Sequence, residues 1–146
     1  MDTDVRQGTM VEADGLAKNF VSGDGSATRV LDVVRFAAGG GMTAIAGPSG
    51  CGKSILLYCL SGLEAPCRGS VRVLVEDLSA KDQRGLAIFR RAHIGFVFQS
   101  YNLVPAMSVL DNVMPPLTLA GRKAEPGRLS ARMSRFRLIG HDDDMA

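Results

Sequence analysis

Residues 47–54 read GPSGCGKS, so Gly47, Gly50 and Gly52 fall within six positions and Lys53 and Ser54 follow at once. A stretch this rich in glycine cannot run through a helix or strand interior without a large entropic cost, so it is a loop. Short apolar segments flank it. Residues 42–46 (MTAIA), bounded by glycine on both sides, have the length and character of a buried parallel strand, and residues 55–63 read as an apolar helix ending near Pro66. Strand, glycine loop and helix in direct succession, with further strands and helices behind them, place the chain in the α/β class.

The residue types carry a specific chemistry. Glycines let the backbone curl until successive N–H groups point inward, and the helix that follows adds the positive end of its dipole. A lysine supplies a full positive charge and a serine hydroxyl can ligate Mg²⁺, so GPSGCGKS fits G-x-x-x-x-G-K-[ST], a cradle for a nucleoside phosphate. The cradle comprises Gly47, Pro48, Ser49, Gly50, Cys51, Gly52, Lys53, Ser54 and Ile55, with Lys53 on the β and γ phosphates and Ser54 on the metal. Cys51, inside the loop, is expected to react with alkylating agents and to be shielded by bound nucleotide. Such a loop by itself serves kinases, GTPases, helicases and transport ATPases alike.

Elsewhere, residues 9–20 read as an edge strand, residues 21–28 (VSGDGSAT) as a hairpin loop and residues 30–38 as a second strand. Strand character resumes over 69–78, with Val71, Val73 and Val75 on one face by alternation. Residues 82–93 suit an amphipathic helix carrying Leu86 and Phe89, and residues 94–98 (IGFVF) a second buried strand ending at Gln99. From Ser108 onward the pattern is helical. Residues 121–140 hold Arg122, Lys123, Arg128, Arg132, Arg135 and Arg137 against Glu125 alone, which suits a solvated helix face or a dock for an acidic partner.

The segment RRAHIGFVFQSYNLVPAMSVLDNV, residues 90–113, separates the phosphate-loop families. It resembles the glutamine-loop region of ABC-type ATP-binding subunits, in particular the bacterial lipoprotein-release, macrolide-efflux and peptide-export branch. There a run R-R-x-x-I-G-F-V-F-Q-x-Y-N-L-x-P is followed by L-x-N-V. The resemblance extends from about Val11 to the end of the sequence, through Leu63-Glu64-Ala65-Pro66 and Asp77-Leu78-Ser79. It implies an ABC ATPase (P-loop NTPase) core with an N-terminal antiparallel β subdomain, an incomplete parallel sheet and a partial helical subdomain. Residues 9–106 would form the β subdomain and core, and 107–146 the start of the helical part.

The resemblance also implies roles. Gln99 would put its amide oxygen on Mg²⁺ or the attacking water and relay the state of the nucleotide to a transmembrane permease. Phe20 stands where the family stacks an aromatic ring on adenine, and Tyr101, Asn102 and Leu103 where it meets the permease. Expected ligands are ATP and Mg²⁺. Expected partners are the permease and, in complete family members, a second nucleotide-binding subunit in a homodimer, with no nucleic acid and no insertion into the membrane. The location would be the cytoplasmic face of the cell membrane, reached through the permease.

Departures from the family pattern are equally specific. Ile55 stands in place of a threonine, which removes a hydroxyl that would bond a phosphate, and Cys51 in place of a serine. Gly41 replaces a glutamate, Cys67-Arg68-Gly69 replaces Thr-Ser-Gly, and Leu74-Val75-Glu76 lacks the glycine of a tight hairpin turn. The strand ending Asp-Glu that supplies the hydrolytic base is not found in these residues, nor are the LSGGQ signature and the switch histidine. His141, in HDDDMA, and His93 read as exposed or structural. The expectation is therefore part of a larger domain that grips ATP but does not hydrolyse it alone, with apolar segments 42–46 and 94–98 left uncovered and order fading after about Gly121. An inactive nucleotide-binding remnant or regulatory module is the alternative; a kinase or GTPase would need a lid or an NKxD signature that is not seen.

Composition excludes several other classes. Seventeen basic against fifteen acidic residues leave a formal charge of +2, too small for a dedicated nucleic-acid binder. Three cysteines without a C-x-x-C pair argue against a disulfide scaffold or a structural zinc site. Cys59 and Cys67 are expected to act as small buried apolar residues.

Overall fold

In the computed structural model, residues 8–100, 102–123, 125, 129 and 133 are described. The elements are β1 (Thr9–Val21), β2 (Ala27–Gly39), α1 (Lys53–Leu60), β3 (Arg68–Val73), β4 (Glu76–Asp77), α2 (Gln83–His93), α3 (Val109–Val113) and α4 (Pro115–Leu119). The chain divides into two units, residues 1–90 and 91–146.

In the first unit a four-stranded antiparallel sheet runs in the order β2-β1-β3-β4. A loop that closes on itself joins β1 to β2: Ser22 N–H donates to the Ser26 carbonyl at 2.8 Å, and the Asp24 carboxylate accepts from both the Ser26 backbone and its hydroxyl. This short turn sets the register, Phe20 opposite Thr28 and Lys18 opposite Leu31. On its other edge β1 pairs Ala13 with Val71 and Val11 with Val73. β1 is thus an interior strand rather than the expected edge strand, because hydrogen-bonded neighbours take both of its sides. Ala13, Leu16, Ala17, Leu31, Val71 and Val73 from the sheet are buried together with Leu56, Cys59 and Leu60 of α1 and Leu86 and Phe89 of α2. At roughly 1.5–3 kcal/mol for each large aliphatic side chain fully removed from water, this core carries the unit.

α1 ends three residues earlier than the apolar run suggests. Gly62, at φ +67°, donates to the Cys59 carbonyl at 3.0 Å, and Leu63 N–H reaches back to the Tyr58 carbonyl at 2.9 Å. That pair of bonds closes the helix in a Schellman turn. The C-terminal end then packs on its neighbours: a Cβ at Gly62 would lie 3.1 Å from Leu86, and Arg90 donates to the Gly62 carbonyl. α2 begins at an aspartate, Asp82 Oδ1 accepting from Gly85 N–H at 2.7 Å.

The antiparallel β subdomain is as expected, but two segments are not. Residues 42–46 and 94–98 form no strand, although they are left uncovered as expected, with Met42 and Val97 almost fully exposed. A buried parallel strand needs a hydrogen-bonded neighbour and cover on both faces, and no described strand lies beside either segment. Phe96 and Phe98 bring their rings to 4.6 Å from each other. Val75 does not share the inward face of Val71 and Val73 but sits at a hairpin tip, 94% exposed. Cys67 is exposed rather than buried, held at the sheet by its own N–H donating to the Ala17 carbonyl at 2.8 Å. Cys59 is buried as expected, and loss of solvation pushes its thiol above the usual cysteine range.

In the second unit Ser108 caps α3, its hydroxyl oxygen accepting from Asp111 N–H at 3.1 Å. The Asn112 side chain binds the loop before that helix at four points. Its Oδ1 accepts from Val104 N–H at 2.8 Å, and its Nδ2 donates to the carbonyls of Val104, Met107 and Ser108 at 3.0–3.2 Å. Arg91 reaches the Leu119 carbonyl at 2.7 Å. Tyr101, His141 and the basic residues from 128 onward lie outside the described residues.

Candidate functional site: the glycine loop and its surroundings

The loop of residues 47–52 bends through Gly50 at φ +78° and Gly52 at φ +90° and delivers the chain into α1. Gly52 is the N-cap of α1, and no side chain bonds the first-turn N–H groups. Acidic side chains are absent from that turn as well. The positive end of an eight-residue helix is therefore presented without a competing oxygen.

Gly52 also fixes where the loop sits. A Cβ there would lie 2.9 Å from the Val30 carbonyl oxygen and 3.1–3.2 Å from the Val30 and Leu31 side chains. The start of α1 thus rests against β2. Val30 is two residues along β2 from Thr28, the register partner of Phe20. At about 3.4 Å per residue, the loop and Phe20 address the same strand within about 7 Å. Phe20 is 40% exposed, and Lys18 Nζ stands 5.1 Å from its ring centroid.

Lys53 folds back over the loop. Its Nζ donates to the Gly47 carbonyl at 2.9 Å and to the Pro48 carbonyl at 2.6 Å, and approaches Cys51 Sγ at 3.6 Å. A Cβ at Gly47 would come within 2.8 Å of that same sulfur, so the loop is closed around its own lysine. Ser54 is exposed, Ile55 is half-buried, and Ser49 and Cys51 are exposed. An anion approaching this arrangement meets the ammonium, the first-turn N–H groups and the Ser54 hydroxyl, the donor set that phosphate oxygens and a phosphate-bound Mg²⁺ require. No group of three or more His, Cys, Asp or Glu able to hold a metal occurs among the described residues.

In the first unit Phe20 and the start of α1 at Gly52 both lie against β2. Gln99 is in the second unit, in an exposed bend. Asn102, just beyond it, takes φ +51° and its Oδ1 accepts from the Ser100 hydroxyl at 2.9 Å, and Leu103 is exposed. Two residues of consequence were not singled out from the sequence. Lys18 is a buried cation in the middle of β1, with no spacing signal to mark it. Asn112 belongs to the L-x-N-V run, but nothing in that pattern shows that its amide organises the preceding loop.

The ABC transporter family profile matches residues 34–146. The chain is 38% identical over 139 residues to the macrolide export ATP-binding/permease protein MacB of Rhodopseudomonas palustris, covering 92% of this chain and 21% of that protein. It is 40% identical over 131 residues to the lipoprotein-releasing system ATP-binding protein LolD of Anaeromyxobacter dehalogenans, covering 89% of this chain and 54% of that one. The chain thus spans about a fifth of the MacB relative and about half of the LolD relative. Among solved structures it resembles the ATP-binding cassette MJ0796, determined as a dimer in a post-hydrolysis state with ADP and Pi. The TM-score is 0.71 at 27% identity, over 94% of this chain and 63% of that one. Across the described residues no helix is long and apolar enough to cross a membrane. With the profile covering most of its length and its loop built as above, this chain belongs to the ABC transporter family.

Proposed function

We propose that this chain is the nucleotide-gripping part of an ABC transporter ATP-binding subunit of the macrolide-export and lipoprotein-release type. The observation that carries the proposal is the glycine loop closed by Lys53 on the carbonyls of Gly47 and Pro48 at the uncapped start of α1. On this reading Lys53 exchanges two carbonyl partners for phosphate oxygens. The donor is ionised in both sets of bonds, but only the phosphate oxygens carry the opposite charge, so the exchange adds Coulomb attraction and favours the bound state. The first-turn N–H groups and Ser54 hold the phosphates and their Mg²⁺, and Phe20 offers its ring to the base. Bound Mg²⁺ would supply charge neutralisation on the β and γ phosphates. Gln99 is assigned the link between the nucleotide and a transmembrane permease, with Tyr101, Asn102 and Leu103 at that junction. A second nucleotide-binding subunit would complete the pair, and the permease would hold the assembly at the cytoplasmic membrane face.

Hydrolysis is not assigned to these 146 residues, because their sequence contains no Asp-Glu pair and no LSGGQ. The chain binds without turning over. Titration calorimetry with MgATP tests the first part, with Lys53→Ala expected to weaken binding at least tenfold, given about 1.5–3 kcal/mol for a bond to a charged group. Because Lys53 is bonded to two carbonyls and the Cys51 sulfur of its own exposed loop, the unliganded melting temperature should hardly change. Phosphate release from the purified chain that disappears with Lys53→Ala would overturn the second part.

A further inference from the structure

Lys18 lies in the interior strand β1 and is only 9% exposed, an unusual place for an ammonium group. It is held there from the segment that follows α1: Nζ donates to the Glu64 carboxylate and, at 2.8 Å, to the Ala65 carbonyl. With two acceptors fixed, the ammonium stands 5.1 Å from the centroid of the Phe20 ring. The segment supplying those acceptors is tied to β1 again at Cys67, through its N–H to the Ala17 carbonyl and the Asn19 N–H to its sulfur. Lys18 therefore cannot swing away from the ring without breaking a clamp between β1 and residues 64–67.

A cation on one side of an aromatic ring draws π density toward itself and fixes the ring's orientation. Phe20 is still 40% exposed, so part of it stays open to a ligand while Lys18 stands over the ring. A purine stacked there faces a ring whose negative face is weakened by the cation behind it, which lowers the repulsion between two π clouds. We propose that Lys18, anchored by Glu64 and Ala65, is a positioning residue that sets Phe20 as a platform selective for the base of a bound purine nucleotide. The inference rests on the reading of Phe20 as the base-stacking ring. It assigns to Lys18 a share of base recognition that is separate from the phosphate grip.

Calorimetry with two ligands on the full chain separates the contributions: MgATP, which engages base and phosphates, and Mg-tripolyphosphate, which engages only the loop. Lys18→Met should weaken MgATP about three- to tenfold and leave tripolyphosphate within twofold, given the strength of a partly buried cation–ring contact. Lys18→Arg should restore most of the loss, and Lys18→Met added to Phe20→Ala should cost nothing further. Glu64→Gln, which keeps the volume of the clamp but not its charge, should give a smaller loss of the same ligand selectivity. Equal weakening of both ligands by Lys18→Met would make Lys18 a structural residue only and overturn the inference. So would an unchanged MgATP affinity in Lys18→Met beside a weakened Phe20→Ala. If Phe20→Ala left the ratio of the two affinities unchanged, the base-stacking reading would fall and the inference with it. Binding of neither ligand by the unaltered chain would sink the nucleotide site itself.

Discussion

Gly52 rests so closely on Val30 that a single added carbon would stand 2.9 Å from the Val30 carbonyl oxygen. The contact joins the glycine loop to β2 and so to the strand pair that carries Phe20. Gly52 also holds φ +90°, a conformation costly to any residue with a side chain. Two penalties therefore coincide at one position, one in the backbone and one in packing.

Gly52→Ala should accordingly lower stability by about 2–4 kcal/mol, combining the left-handed backbone cost with overpacking. It should also weaken MgATP binding beyond that of Gly50→Ala, because a Cβ at Gly50 meets nothing within 4 Å. Urea denaturation and calorimetry on the two variants check both statements. Equal effects at the two glycines would mean that the contact with Val30 is not what places the loop.

The hairpin between β3 and β4 is built from unsuitable residues. Leu74 and Val75 take φ +49° and +66°, the two positive angles of a type I′ turn, where asparagine and glycine are preferred. Val75 is branched at Cβ and almost fully exposed, so it bears the strain without any packing in return. Replacing Leu74-Val75 by Asn-Gly should raise stability by about 1–2 kcal/mol, read as a higher urea midpoint at unchanged slope. Leu74 N–H keeps its bond to the Met10 carbonyl at 2.9 Å, which Leu74→Asn leaves in place.

That turn also shows what a sequence reveals and what it hides. The missing glycine before Asp77 is visible in the residues; that the chain makes the turn regardless is a matter of register, since Val73 must face Glu76 for Val71 and Val73 to stay buried. The glycine loop and the helix behind it were legible because glycine, lysine and serine have few other uses at that spacing. Residues 42–46 and 94–98 misled for the converse reason. Apolar runs report the wish to be covered, whereas a strand needs partners for its N–H and C=O groups, and composition cannot say whether those are at hand. Lys18 was hidden because a lysine in a strand usually points to solvent. Its burial depends on Glu64 and Ala65, which are 46 and 47 residues away.

Labelling of the three thiols should report on the site without any substitution. Cys51 and Cys67 are exposed and Cys59 is buried, so a maleimide should label two sites in the native chain and three after unfolding. MgATP should slow labelling at Cys51, whose sulfur lies 3.6 Å from Lys53 Nζ, and leave Cys67 unaffected. Burial, the largest cause, raises the Cys59 pKa, opposed by Lys18 and assisted by Glu64 and Cys67. The folded chain thus holds this proton more tightly than the unfolded chain does. The stability it contributes is complete below the unfolded thiol value of about 8.5 and is lost as pH rises toward the higher folded value. Between pH 7.5 and 9.5 the unaltered chain should lose more stability than Cys59→Ala does. Parallel losses would show that Cys59 does not titrate in the unfolded chain alone.

Asn112 closes a loop around Val104, accepting from its N–H and donating to its carbonyl, and it adds bonds to the carbonyls of Met107 and Ser108. Met107 N–H also donates to the Val104 carbonyl at 3.0 Å, a backbone bond that does not depend on Asn112. Asn112→Ala leaves those groups to water at a cost of about 1–3 kcal/mol, confined to this segment. Amide exchange should therefore quicken about 10- to 100-fold at Val104, while Ala13 and Val71 in the sheet of the first unit keep their protection. Asn112→Asp separates the two ends of the amide: it keeps an acceptor for Val104 N–H but removes the donors to three carbonyls. Its exchange rate at Val104 should fall between those of Asn112 and Asn112→Ala. A rate equal to that of Asn112→Ala would mean that the donors, and not the Val104 N–H bond, hold the loop that follows Gln99.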